Sequence, residues 1–172
     1  MIRIINLFFI IFFLISAKAY SLIEIDITRG NLDPLPIAVS PLFQDDNSKR
    51  NSINELKIEN VGSEISLVVE NNLKISGLFN PLSKEAFLQK PDIAHLKPRF
   101  EDWALIKAQA LITGKVTIED KKLKVEFRLW DILAGREMMA LAFTTVPSNW
   151  RRVGHIISDK VYERLTGEKG YF

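Results

Sequence analysis

Two consecutive segments in the C-terminal half of the chain alternate apolar and polar residues, and this pattern restricts the fold more than any other feature. In Leu123 to Asp131 the odd positions Leu123, Val125, Phe127 and Leu129 alternate with Lys124, Glu126 and Arg128. In Ala110 to Glu119 the even positions Ile112, Val116 and Ile118 are apolar. Successive side chains of a strand point to opposite faces, so each segment reads as a strand with one buried and one wet face. Asp120-Lys121-Lys122 fits the hairpin turn between them, and Ala134-Gly135-Arg136 turns the chain into a third strand over Met138 to Thr145. A meander wetted on one face needs an apolar layer on the other.

Two helical stripes supply that layer. Ile58, Val61, Ile65, Val68, Val69 and Leu73 recur at three- and four-residue spacings, with Gly77 as a left-handed C-terminal cap. Gly62 inside this helix costs about 1 kcal/mol relative to Ala, which a close approach of helix to sheet would explain. Trp150, Val153, Ile157, Val161 and Leu165 predict a second helix over Asn149 to Leu165, capped by Gly167. After the stiff Asp33-Pro34-Leu35-Pro36 connector, Ile37 to Val39 is apolar on both sides and reads as the central strand. Leu78 to Leu82 is a short strand ended by Pro81, and Ser83 to Gln89 a helical turn. Gln44 to Ser52 is polar and aperiodic and reads as a loop, as does Lys90 to Lys97. Pro98 then opens a short helix carrying Phe100, Trp103 and Ile106 on one side. The order predicts an α/β two-layer sandwich, a mixed sheet of about five strands with two long helices on its one covered face.

Met1 to Ala19 has the parts of a secretory signal peptide: the lone cation Arg3, an apolar run from Ile4 to Ile15 broken only by Asn6, and Ala17-Lys18-Ala19 at the end. The run is shorter than the roughly 18 to 20 residues that span a bilayer, so cleavage between Ala19 and Tyr20 is expected rather than an uncleaved anchor or stable membrane insertion. With Tyr at position 20 and no Cys in the chain, lipid anchoring through cysteine is excluded. Removing Arg3 and Lys18 takes the 23 Lys and Arg to 21, against 21 Asp and Glu, so the formal charge falls from +2 to zero. A neutral chain without a basic tail has no electrostatic footprint for phosphate, which removes nucleic acid as a partner.

The inventory for catalysis is thin. His155 and Asp159 stand one helical turn apart and could share a proton or a metal, but no third ligand lies nearby in sequence. A solvated pair on the open helix face is the plainer reading. Glu24 and Asp26 project from one strand face, as an acid pair or simply as its wet side. Trp150-Arg151-Arg152 resembles an anion clamp, yet cations at a helix start oppose the helix dipole. No Gly-rich phosphate loop, nucleophile elbow or Cys/His arrangement occurs. No catalytic residue, metal or cofactor is therefore assigned, and His95 receives no role.

One further segment carries a function of its own. Leu22 to Thr28 sets Ile23, Ile25 and Ile27 on one face and Glu24, Asp26 and Thr28 on the other. Lying beside the new N-terminus and followed by Gly30, it could pair within its own sheet or be donated to the edge of a partner. From the pattern alone, the first strand of the fold is the plainer of the two.

The stretch from Trp150-Arg151-Arg152-Val153-Gly154-His155 through Gly167-Glu168-Lys169-Gly170-Tyr171-Phe172 resembles the segment that closes the N-terminal domain of the TolB family, periplasmic components of the Tol-Pal envelope system. Pro36-Ile37-Ala38-Val39, Ser76-Gly77-Leu78-Phe79-Asn80-Pro81, the Trp103 to Gly114 region and Phe127-Arg128-Leu129-Trp130-Asp131 extend the resemblance over nearly all of the chain after Ala19. It implies a non-enzymatic adaptor that supports envelope integrity and outer-membrane constriction in dividing cells, and that colicins exploit in some members. The partner-binding residues it implies are Tyr20, Ser21, Leu22, Ile23, Glu24, Ile25, Asp26, Ile27 and Thr28, engaging the C-terminal domain of TolA by strand addition. The family's second domain, a β-propeller, contacts the lipoprotein Pal and controls whether that strand is free. Three departures stand out. Lys107 replaces an expected small residue, usually Gly, before the meander; Asp45 to Asn60 fits loosely; and the sequence reaches Phe172 where the propeller is expected to begin, so Pal binding is not expected of these residues. The alternatives are an exported hydrolase or metal-dependent enzyme using His155 and Asp159, and a binding module for another envelope partner.

Overall fold

The computed structural model describes Ile23, Ile25 and residues 33–172. The signal segment, the cleavage site and the rest of the Tyr20 to Thr28 strand lie outside the described residues, as does Gly30. Neither Ile23 nor Ile25 belongs to a strand.

Six strands form one mixed sheet: β1 (Leu35–Val39), β2 (Phe43–Gln44), β3 (Phe79–Pro81), β4 (Ala110–Glu119), β5 (Lys122–Asp131) and β6 (Arg136–Thr145). The order is β3-β1-β4-β5-β6, with β2 on β4; β1 runs parallel to both β3 and β4, and β4-β5-β6 is the antiparallel meander. Its register sets Ile112 opposite Leu129, Val116 opposite Val125 and Ile118 opposite Leu123. The apolar alternation thereby becomes one continuous buried face, since a one-residue slip would turn every side chain over.

That face is covered by α2 (Val61–Ile75) and α5 (Trp150–Thr166), whose stripes Val61, Ile65, Val69, Leu73 and Val153, Ile157, Val161, Leu165 are buried against it. The helices approach closely at Gly154, where an added Cβ would sit 2.8 Å from Val68 Cγ1. At the start of α2, a Cβ on Gly62 would run into the carbonyl oxygen of Leu42, so the close approach is to the loop between β1 and β2. Gly77 and Gly167 end the two helices with φ of 74° and 75°, the left-handed geometry expected of them.

Three expectations need correction. Gln44 to Ser52 is not a loop: its first residue belongs to β2, and α1 (Asp46–Leu56) follows, capped by Asp45, whose side chain accepts from the Ser48 amide. This helix meets the sheet through hydroxyls and amides, so it carries no apolar period. Ser48 Oγ accepts from the Ile118 amide at 3.3 Å and Asn51 Nδ2 donates to the Ile118 carbonyl at 2.7 Å. Within Lys90 to Lys97 lies the short α3 (Pro91–Ala94).

The third correction concerns the other sheet face, which is covered at one end. Ala38, Leu111, Trp130 and Ile132 of the sheet side pack with Ala94, Trp103 and Ala108, the last two from α4 (Phe100–Leu105) and the turn after it. Trp103 Nε1 donates to Gln89 Oε1 at 3.0 Å and Trp130 Nε1 to Thr113 Oγ1 at 2.9 Å, so both indoles are buried with their N–H groups satisfied. The wet alternation of β5 ends at Trp130 for this reason.

Candidate partner-binding site

The residues of the partner-binding segment that the structure describes meet the C-terminal end of α5. The last four carbonyls of an α-helix have no donor within the helix. Here Glu163 O is satisfied by the Gly167 amide at 2.9 Å, and Thr166 Oγ1 adds a bond to the Tyr162 carbonyl one residue earlier, at 2.8 Å. The Leu165 carbonyl accepts from the Ile25 amide at 2.7 Å, so the N-terminal segment supplies part of the helix cap. Ile25 is buried in the main core and Ile23 is half-buried beside it. Glu24, Asp26, Ile27 and the other residues of Tyr20 to Thr28 are outside the described residues.

The C-terminal tail returns to the same helix end. Phe172 donates its amide to Asp159 Oδ1 at 2.9 Å, and Gly170 lies flush against Asp159, leaving no room for a Cβ. Tyr162 stands edge-on to Phe79, Tyr171 and Phe172, with centroids 6.2, 5.5 and 5.9 Å away. Burial, reinforced by Tyr171 and Glu168, pushes the Tyr162 hydroxyl above the ordinary phenol range. Pattern reading found the segment but missed this aromatic clamp; the adjacent Tyr171-Phe172 pair was the available signal.

His155 and Asp159 serve different neighbours despite their one-turn spacing. His155 Nδ1 lies 2.9 Å from Asn72 Nδ2, an amide donor, so the ring accepts there. The same Asn72 nitrogen donates to Ser158 Oγ at 3.0 Å, and together these side chains bridge α2 to α5. Asp159 holds the tail. Among the described residues no group of three or more His, Cys, Asp or Glu is placed to hold a metal. His95 stacks on Phe43, centroids 4.5 Å apart, and its Nδ1 lies 3.0 Å from the Pro91 carbonyl. Arg151 lies over the Trp150 ring at 4.5 Å, so one cation of the suspected anion clamp is spent on its neighbour.

The open sheet face carries a groove of about 420 Å3 whose charged walls are Lys115, Glu126 and Arg128. Each faces an opposite charge: Asp45 at 3.7 Å, Lys124 at 2.8 Å and Glu137 at 3.3 Å. Exposed pairs of this kind are solvent-screened and contribute little to stability. No helix among the described residues is long and apolar enough to cross a membrane.

Comparison with known proteins agrees with this architecture. The Tol-Pal system protein TolB of Pelagibacter ubique (strain HTCC1062) is 76% identical over 164 residues, which is 95% of this chain but 37% of that protein. The crystal structure of TolB from Acinetobacter baumannii superposes with a TM-score of 0.63 at 22% identity, over 80% of this chain and 30% of that one, and shares the fold. The chain thus spans about a third of the length of these longer relatives. The sequence model of the TolB amino-terminal domain matches residues 23–138, and the chain belongs to that family.

Proposed function

We propose that residues 20–172 form the amino-terminal part of a non-enzymatic adaptor of the Tol-Pal system, exported to the periplasm by cleavage between Ala19 and Tyr20. Its segment Tyr20 to Thr28 is donated as an added strand to the C-terminal domain of TolA, in support of envelope integrity and outer-membrane constriction during division. Pal is not assigned to these residues, because the family's contact with it belongs to the propeller.

The observation that carries the reading is the Ile25 amide on the Leu165 carbonyl. In strand addition every second amide of the donated segment bonds the partner, so with Ile25 in that phase its amide must leave the Leu165 carbonyl before it pairs. One such hydrogen bond contributes about 0.5–1.5 kcal/mol and burial of an isoleucine about 1.5–3 kcal/mol. Ordering each residue of the segment costs about 1–2 kcal/mol. The described contacts are thus a weak dock, which a competing sheet edge can replace.

A pull-down on the TolA C-terminal domain compares protein beginning at Tyr20 with protein beginning at Asn31, each shown by circular dichroism to be folded. Recovery is expected only with Tyr20 present, and equal recovery would reject strand donation. N-terminal sequencing of the exported protein should begin at Tyr20; a retained Met1 would reject the cleavage.

A further inference from the structure

The sheet edges are not treated alike. The outer side of β4 is covered step by step: by β1 at Ala110 to Ile112, by the Ser40 amide on the Ile112 carbonyl at 3.0 Å, by β2 at Lys115 and Val116, and by Ser48 and Asn51 on Ile118. At the opposite edge β3 is three residues long and ends in Pro81. β6 is ten residues long, pairs with β5 along its length, and has no strand on its other side among the described residues. From Met138 to Thr145 it has neither charge nor proline, and Ala140, Leu141, Ala142 and Thr144 are exposed. Folded proteins blunt a free edge with lysine, proline or a cover, because its open amides and carbonyls template another strand. β6 lacks the first two, and its single register irregularity lies at one end, opposite Leu129 and Trp130.

The flank of this edge selects the occupant. Arg152, Ile156, Lys160 and Arg164 form an outward row on α5, at four-residue spacings, that lines grooves of about 350 and 390 Å3 together with β6. Arg164 Nε reaches the Met138 carbonyl at 3.4 Å, so the row overhangs the strand. Glu163, the row's acid, is held by Lys160 at 2.8 Å. Two-fold pairing of β6 with a second copy would set this cationic row against its own image. We infer that the free edge of β6 binds an extended segment of another protein with acidic residues at alternate positions, as a seventh strand. Its acids face Arg152, Lys160 and Arg164, and its apolar side lies toward Ala140, Ala142 and Leu96 in the groove on the open face. The inference is independent of the Tyr20 to Thr28 reading, since it concerns a different element and a different direction of donation.

The test uses a fluorescein-labelled ten-residue peptide alternating Val and Glu, a Val-Lys counterpart, and the Val-Glu peptide N-methylated at alternate amides. The acidic peptide should bind about tenfold more tightly than the basic one, and N-methylation in the pairing phase should lower its affinity by at least about tenfold. Arg152→Glu with Lys160→Glu, both on the outer helix face, should reverse the preference while leaving the circular dichroism unchanged. Amide exchange should slow along Met139 to Thr145 when the acidic peptide is present. Equal affinity for the two peptides, indifference to N-methylation, no binding at millimolar peptide, or protection elsewhere would overturn the inference. So would dimerisation in sedimentation that Ala140→Lys abolishes, since a second copy would then be the occupant.

Discussion

Replacing Gly154 with Ala should destabilise the protein, contrary to the rule for helix interiors, where the change gains about 1 kcal/mol. An added Cβ would lie 2.8 Å from Val68 Cγ1 and 2.9 Å from Val68 Cβ. Carbon atoms in contact prefer about 3.5–4.0 Å, so α2 and α5 must part by nearly 1 Å. Val68 is β-branched and cannot swing away cheaply. The same spacing sets the bridge from Asn72 to His155 and Ser158, at 2.9 and 3.0 Å, and the packing of Val69 and Leu73 against Val153 and Ile157. Overpacking of this kind costs about 1–3 kcal/mol, and a strained hydrogen bond about 1 kcal/mol more. Less the propensity gain, the net loss is about 1–3 kcal/mol, a fall in Tm of about 2–12 °C. Urea unfolding followed by tryptophan fluorescence measures it. Val68→Ala in the same background should recover at least about 1 kcal/mol as a coupling energy in the double-mutant cycle. A higher Tm for Gly154→Ala alone, or no coupling with Val68, would refute the close-packing argument.

Gln89→Leu should cost about 1–3 kcal/mol, because Gln89 Oε1 accepts from both Trp103 Nε1 and the Arg99 amide at 3.0 Å, and a leucine would leave both donors unpaired; a urea midpoint within error of wild type would contradict it. Lys107 holds φ at 62°, which an L-residue adopts at a cost of about 1–2 kcal/mol, so Lys107→Gly should raise stability by about 0.5–1 kcal/mol after its larger chain entropy is counted, and a lower Tm would show that the lysine side chain compensates. The Ser48 amide holds the Asp45 carboxyl below its ordinary range, helped by the Ser48 hydroxyl and Lys115 against a burial effect. A lowered folded pKa gives stability that is full above the unfolded value of about 3.9 and is lost as pH falls through the folded one, so the advantage of wild type over Asp45→Asn should shrink below about pH 4; an advantage constant down to pH 2 would exclude the carboxylate as its source.

The candidate site was only partly readable beforehand. The isoleucine alternation of Leu22 to Thr28 marked the segment, but its described residues, Ile23 and Ile25, are attached to the end of a helix rather than to a strand. Nothing in a linear pattern says that an orphan carbonyl at Leu165 will find its donor 140 positions earlier. His155 and Asp159 looked like a pair because spacing along one helix is visible in the chain, whereas Asn72 and Phe172, which claim them, come from elsewhere. The departure from the family pattern at Lys107 falls on left-handed backbone, with φ of 62°, a conformation that glycine adopts at no steric cost.

By itself the sequence determined the meander, that β1 is an interior strand though β4 takes the centre, the two long helices and their glycine caps, because each has a period or a backbone requirement confined to consecutive residues. Only the tertiary structure decided what depends on partners distant in the chain. The polar helix α1 exists because Ser48 and Asn51 meet the edge of β4 at Ile118, and hydroxyls and amides leave no hydrophobic period to read. The second cluster exists because the 82–108 segment folds Trp103 over Leu111 and Trp130, turning one end of a wet strand face into core. The apolar edge of β6 became a binding surface only once the strand order placed it outermost, beside the cationic row of α5. Local periodicity follows from the geometry of consecutive residues; edge position, helix capping by a remote segment and the pairing of buried polar groups follow from which elements come to lie side by side.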